Sequence, residues 1–332
     1  MTIVVGYLPD KGGRACLDLA ALLAGSGVLE PVAVVTVVPQ HWTTPSMAKV
    51  DAEFAAWAHA QGDGALERAR VYLAGRWPDV EVSFHRAEGR SVPSALARAC
   101  ADLSGDLLVL GSSTDGRVGQ VVIGSTAEPL LHSSPVPIAI APRGYRAPKG
   151  SAPKGSAPGG SAPNGTALTR LSCAFSGTRR SEDLLTATAA ISARMGCPLR
   201  IVTFGIRGRT MYPPEVGLHA EDLVLQQWRE QVADEQQHAV RHLATLGLVT
   251  DSTTTEIATG PRWDDAMDQL DWEPAELLVV GSSSVGRLAR VFLGSGAIKI
   301  VRYSPVPVVV VPTVLAAEVA EAAEGSVLRD VP

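Results

Sequence analysis

Six residues of this 332-residue chain have the types and spacing to hold an anion. Gly111, Gly124 and Ser125 lie in one segment, and Gly281, Gly294 and Ser295 lie in another 170 positions later. The two glycines of each set stand 13 positions apart. A glycine that closes a buried strand lets another group approach the backbone closely. A helix starting after the second glycine presents unpaired N–H groups and a partial positive charge, both of which attract phosphate. Ser125 and Ser295 can cap those N–H groups or donate to a phosphate oxygen. Ser125 with Glu128 also fits a capping box. Arg117 and Arg287 each follow a glycine at matching places in the two segments. A guanidinium there can pair with phosphate or stand solvated.

The elements that must position these residues occur twice. Residues 106–142 read DLLVLGSSTDGRVGQVVIGSTAEPLLHSSPVPIAIAP, and residues 276–312 read ELLVVGSSSVGRLARVFLGSGAIKIVRYSPVPVVVVP. Roughly half of the aligned positions are identical. So long a period means two copies of a domain, not a solenoid of roughly 20–50-residue units. The first half predicts strands at 2–8, 31–38, 80–85, 107–110 and 136–141, with helices at 14–25, 47–75, 92–103 and 125–132. The second half repeats the order, with strands at 171–175, 199–204, 254–258, 277–280 and 306–311. Its helices are expected at 182–195, 215–246, 264–270 and 295–301. Continuous apolar strands without clean alternation predict α/β domains whose parallel sheets are covered by helices on both faces.

The expected division is residues 1–143, a Gly/Ser/Ala/Pro linker at 144–167, residues 168–313, and a tail at 314–332 with helical character. Pro135, Pro137, Pro305 and Pro307 flank the last strand of each half, which reads as an edge or a strand start. Net charge is −5, and the lack of a basic surplus argues against nucleic acid or an anionic membrane as partner. No apolar run approaches the roughly 20 residues a bilayer helix needs. The short N-terminal apolar run has no basic region before it and reads as a strand, so the cytoplasm is the expected compartment. Cys16, Cys100, Cys173 and Cys197 lack paired spacing and read as buried thiols, with no metal implied.

The strand–G-x2-G-x9-G-[ST]–helix pattern, the closing S-P-V-P strand and the element order resemble the universal stress protein family, as two fused copies. The resemblance implies five-stranded parallel sheets of order 3-2-1-4-5 and a site for ATP or a related adenine nucleotide, optionally with Mg. It further implies that Gly111, Gly124, Ser125, Gly281, Gly294 and Ser295 cradle the phosphates, and that the two halves associate through their last strands. A homo-oligomer is also open, and no protein partner is indicated. The chain departs from the pattern at four places. Thr114 and Ser284 replace the motif's second glycine, where a backbone with φ > 0 would suit neither. Leu8 and Ser176 stand where the family has an acid after strand one. Leu8 cannot accept a ribose hydroxyl, and Ser176 accepts without charge assistance. A nucleotide-responsive binding module in stress response is expected, and the alternative is an interaction protein that has lost its ligand.

Other chemistry is poorly supported. Arg117 and Val118 replace the Lys and hydroxyl of a phosphate-loop NTPase, and the dinucleotide fingerprint after strand one is missing. His238, His242 and Asp234 share a helix face without the zinc-protease glutamate. Asp264, Asp265 and Asp268 suit a helix start. Trp57, Trp77, Trp228, Trp263 and Trp272 are dispersed and read as packing or surface residues. No nucleophile, base and activating partner stand together, so catalysis beyond weak ATP hydrolysis is not expected.

Overall fold

A computed structural model of the chain describes residues 1–9, 13–25, 31–40, 50–148, 168–207, 218–282 and 294–327. Strands β1 (Thr2–Gly6), β2 (Val32–Pro39), β3 (Val82–Gly89), β4 (Gly105–Gly111) and β5 (Ile138–Ala141) alternate with helices α1 (Gly13–Ala24), α2 (Val50–Arg76), α3 (Val92–Asp102) and α4 (Ala127–Ser133). The second half follows the same plan. Its strands are β6 (Arg170–Ala174), β7 (Leu199–Ile206), β8 (Thr254–Gly260), β9 (Glu276–Gly281) and β10 (Val308–Val311). Its helices are α5 (Arg179–Met195), α6 (Leu218–Thr245), α7 (Trp263–Met267) and α8 (Ser295–Tyr303). A further helix, α9 (Thr313–Val327), forms most of the expected tail.

Helix boundaries follow local chemistry. Thr178 accepts the Ser181 N–H and forms a capping box that starts α5, while Gly196 at φ 61° ends it in the left-handed conformation that glycine adopts without strain. Pro93 sits in the first turn of α3, where a missing N–H costs nothing.

Within each half the strands are parallel, in the spatial orders β3-β2-β1-β4-β5 and β8-β7-β6-β9-β10. The expectation of two five-stranded sheets is corrected in one detail. The halves join into one ten-stranded sheet, with Val308, Val309 and Val310 antiparallel to Ile140, Ala139 and Ile138. Unpaired N–H and C=O groups on an open edge are costly to bury, and pairing two such edges satisfies both. Pro137 and Pro307 sit just before these strands, and their carbonyls accept from Leu108 and Leu278 at 3.0 and 2.9 Å.

The apolar strands feed cores on both faces. Ile3 and Val5 join the residues under α1, α2, α5, α6 and α9, whereas Val4 joins those under α3, α4, α7 and α8. The tail helix packs on α5, burying Ala316 and Ala320. The second half also buries charge. Glu276 is fully covered and pairs with Arg200 at 2.6 Å and Arg170 at 2.7 Å. Ser172 donates to Glu276 and accepts from Arg200, whose guanidinium lies 4.6 Å from the Trp272 ring centre. The four cysteines are buried and are not joined in disulfides. No helix among the described residues is long and apolar enough to cross a membrane.

Candidate functional site

Each half opens a pocket at the carboxyl ends of its strands, where open α/β sheets bind ligands. In the first half β1 delivers Gly6, Tyr7 and Leu8, β4 delivers Gly111, and the loop before α4 delivers Gly124 and Ser125. This pocket holds about 260 Å³ and is completed by Val35, Val37, Val92 and Thr114, among others. Leu8 is 62% exposed at its rim, an apolar group at the place expected for an acid.

The loop between β4 and α4 spends much of its polarity on itself. Ser112 is buried; its hydroxyl accepts the Val122 N–H at 2.7 Å and reaches the Gln120 carbonyl at 3.3 Å. Ser113 donates its N–H to the Val122 carbonyl at 2.9 Å. The segment after β5 fastens the loop's far end, with Gly119 donating to Arg143 at 2.8 Å and Arg143 to Gln120 at 3.0 Å. Gly116 permits the fold-back, because an added Cβ would meet the Val122 side chain at 2.5 Å. Thr114 needs no glycine: among the described residues Ser104 is the one non-glycine with positive φ, and the loop's left-handed position is Gly119. The strain expected at Thr114 is therefore absent.

At the start of α4 the Ser125–Glu128 capping box does not form; Thr126 is the N-cap, without a side-chain bond. The Glu128 N–H bonds the Gly124 carbonyl at 3.0 Å instead. Neither Ser125 nor Thr126 gives its N–H to a partner among the described residues, so both remain donors at the pocket wall. Arg117 is exposed and stands outside the pocket lining.

The second pocket is larger, about 490 Å³. β6 supplies Ala174, Phe175 and Ser176, β9 supplies Gly281, and the turn into α8 supplies Gly294 and Gly296. Ser295 is the first residue of α8 and exposed; it stands outside the lining, between Gly294 and Gly296, which belong to it. Ser176 takes the expected place, its hydroxyl 3.2 Å from that of Thr178 at the start of α5. Ser284 and Arg287 lie outside the described residues.

Several lining residues escaped the sequence reading. Arg180 brings a cation from the first turn of α5. Trp263, read from sequence as packing or surface, lines this pocket at the start of α7 with its ring 5.9 Å from that of Phe204. Its position just past the end of β8 was the available signal, since side chains there face the site edge of an α/β sheet. Thr313 and Ala316 enter from α9, which has no counterpart among the described residues that follow β5.

A nucleotide can be tested against this geometry. At Gly281 an added Cβ would have a single neighbour among the described residues, Leu184 at an ordinary 3.5 Å, so the packing of those residues leaves the space beside it open. At Gly124 the neighbour is Ser113 at 3.3 Å, a tighter fit. Small-molecule sites usually occupy about 300–1,000 Å³. The second pocket lies inside that range and the first just below it. Among the described residues no group of three or more His, Cys, Asp or Glu stands close enough to hold a metal.

Comparison with known proteins agrees with this architecture. The model of the universal stress protein family matches residues 1–142 and 168–312. Universal stress proteins of Mycobacterium tuberculosis and Mycobacterium bovis are 43% identical over 312 residues, covering 94% of this chain and all of each relative. The crystal structure of a universal stress protein from Archaeoglobus fulgidus superposes with a TM-score of 0.56 at 16% identity, covering 94% of this chain and 98% of its own.

Proposed function

This chain belongs to the universal stress protein family, and from that premise we propose that it is an adenine-nucleotide-responsive binding module in stress response. The second half is the better fitted to hold the ligand. The observation that carries this reading is the pocket of about 490 Å³ at the ends of β6 and β9, with Gly281 and Gly294 in its lining. Trp263 would meet the base, Ser176 a ribose hydroxyl, and Arg180 with the N–H groups opening α8 the phosphates. ATP is the family's implied ligand; the pocket chemistry itself asks only for an adenine ring and an anionic tail.

For the first half a second reading is favoured by Leu8 and by the self-bonded loop between Ser112 and Gly124. That half would serve assembly, holding the molecule as an internal pseudo-dimer through β5 and β10. Nucleotide occupancy of the second half would then change the surface offered to a partner.

The deciding experiment is to denature freshly purified protein and identify the released small molecules, followed by ATP and AMP titration of nucleotide-free protein. One equivalent per chain, abolished by Gly294→Asp and kept by Gly124→Asp, is the expected result. Absence of binding in the wild-type protein would favour the interaction-protein reading.

A further inference from the structure

Outside both glycine pockets, the first half carries a cationic cleft between α1, α2 and the segment after β5. It holds about 1,150 Å³ and is lined by Arg14, Arg68, Arg76 and Arg146 around Tyr72. Four guanidiniums in one cleft are out of keeping with a chain of net charge −5. The two guanidiniums of Arg14 and Arg146 each lie 5.5 Å from the Tyr72 ring centre, so both charges gather on one side chain.

The acids among the described residues do not cancel this charge. Asp18 is fully buried beneath the cleft, with one carboxylate oxygen accepting from Tyr72 at 2.7 Å, Arg76 at 2.9 Å and Trp77 at 2.9 Å. Arg146 approaches its other oxygen at 3.7 Å. One acid is thus shared by two arginines. Glu67, on the cleft wall, pairs outward with Arg70 at 3.5 Å. Arg14 and Arg68 are exposed and have no carboxylate within ion-pair distance among the described residues. Arg14 also sits in the first turn of α1, which contains no acidic residue. A cation at the positive end of a helix dipole is unfavourable by itself. Its location is readily understood if an anion sits there.

We propose that this cleft is a binding site for an oligophosphate, an extended chain of phosphate groups that Arg14, Arg68 and Arg146 grip together. Guanidinium forks suit phosphate oxygens, and a chain with several charges meets separated arginines where a single carboxylate meets one. Asp18 acts as a positioning residue: it locks Tyr72 and Arg76 in place and leaves the remaining arginines facing out. The site shares Tyr7 with the first glycine pocket and is otherwise separate from it.

The test is calorimetric titration of the full chain with inorganic tripolyphosphate in about 0.15 M salt, where exposed long-range charge effects are largely screened. One-to-one binding is expected, at least ~10-fold weaker in R14A/R68A, since a charge-assisted contact contributes a factor of this order. The variant G124D/G294D, which blocks both glycine pockets, should bind as the wild type does. R14K/R68K, which keeps the charge and loses the fork, should bind with intermediate affinity; thermal melts check that each variant folds. Unchanged binding in R14A/R68A, loss in G124D/G294D alone, or no binding by the wild type would overturn the assignment. A single-stranded oligonucleotide that binds where tripolyphosphate does not would also overturn it.

Discussion

Thr313 donates its backbone N–H to the Ser282 hydroxyl at 3.1 Å, and its own hydroxyl donates to the Ser282 carbonyl. This doubled contact ties the first residue of α9 to the residue after β9, at the wall of the second pocket. In the matching serine of the first half, Ser112, the hydroxyl instead bonds its own loop, at Val122 and Gln120. The duplicated serine therefore serves a tail helix in one half and a closed loop in the other.

Removing the Thr313 hydroxyl should accordingly affect the second half. Thr313→Val is expected to cost about 1 kcal/mol, the usual net value of a hydrogen bond, and to lower the melting temperature by a few degrees. Truncation after Pro312 should lower it further, because α5 loses the cover of Ala316 and Ala320. Calorimetric melting of the three proteins decides this; an unchanged melt of the truncated chain would show that α9 contributes nothing.

The buried pair Arg200–Glu276 gives a sharper test of stability. Glu276→Gln keeps the shape and removes the charge that two arginines face at 2.6 and 2.7 Å. Breaking one partner of a buried ion pair typically costs about 3–5 kcal/mol, whereas replacing both by apolar groups is often nearly neutral. Urea unfolding should thus rank Glu276→Gln well below the triple replacement of Arg170→Met, Arg200→Met and Glu276→Leu. Equal midpoints for both would mean that the pair is not desolvated as described.

Alkaline pH should weaken the fold in a defined window. Burial pushes the thiols of Cys100 and Cys197 up to about 11 and that of Cys173 to about 12, from an ordinary 9.0. Burial and the hydrogen bond to Asp18 push Tyr72 to about 12 from 10.0. The folded state holds these protons longer than the unfolded chain, so their stabilising effect is complete below pH 9 and is lost as pH rises toward 12. Urea midpoints measured from pH 8 to pH 11 should fall steadily above 9. At pH 8 a thiol reagent should find the cysteines of the native protein unreactive and all four reactive after unfolding. Fast labelling of the native protein would contradict the burial.

Much of this molecule was legible because its signals are local and repeated. The continuous apolar runs ending in Gly111 and Gly281 announced β4 and β9, and Gly124 and Gly294 marked the helix starts that follow. The pockets were less legible, since their walls come from distant elements. Trp263 belongs to α7 and Thr313 to α9, and neither lies within the glycine segment. Arg117 misled for the opposite reason: it is near Gly111 in sequence, yet the loop folds back through Ser112 and Val122 and carries it outward. The capping box at Ser125 failed because the chain turns once more, making Thr126 the cap. Asp18 carried no sequence signal, as its donors Tyr72, Arg76 and Trp77 come from the far end of α2 and the residue just after it.

The pairing of Val309 with Ala139 predicts that the halves stay together without their connection. A protease site inserted between Gly159 and Gly160 would allow the chain to be cut after folding. The two fragments should co-elute at the size of the intact chain on gel filtration and separate only in denaturant. Immediate separation after cleavage would reject the pseudo-dimer.

The difference between the two pockets leads to a final expectation about ligand binding. Trp263 and Val92 follow β8 and β3 and line corresponding parts of their pockets, but only Trp263 offers a face on which a purine can stack. Stacking of a base on an aromatic side chain contributes about 1–3 kcal/mol. Trp263→Ala should therefore weaken ATP or AMP binding by about 5- to 150-fold, while Val92→Ala leaves it nearly unchanged. Trp263→Phe should recover much of the loss, because a ring is kept against Phe204. Calorimetric titration of the three variants reads this directly. A Val92→Ala defect exceeding that of Trp263→Ala would move the nucleotide to the first half and force the roles of the two halves to be exchanged.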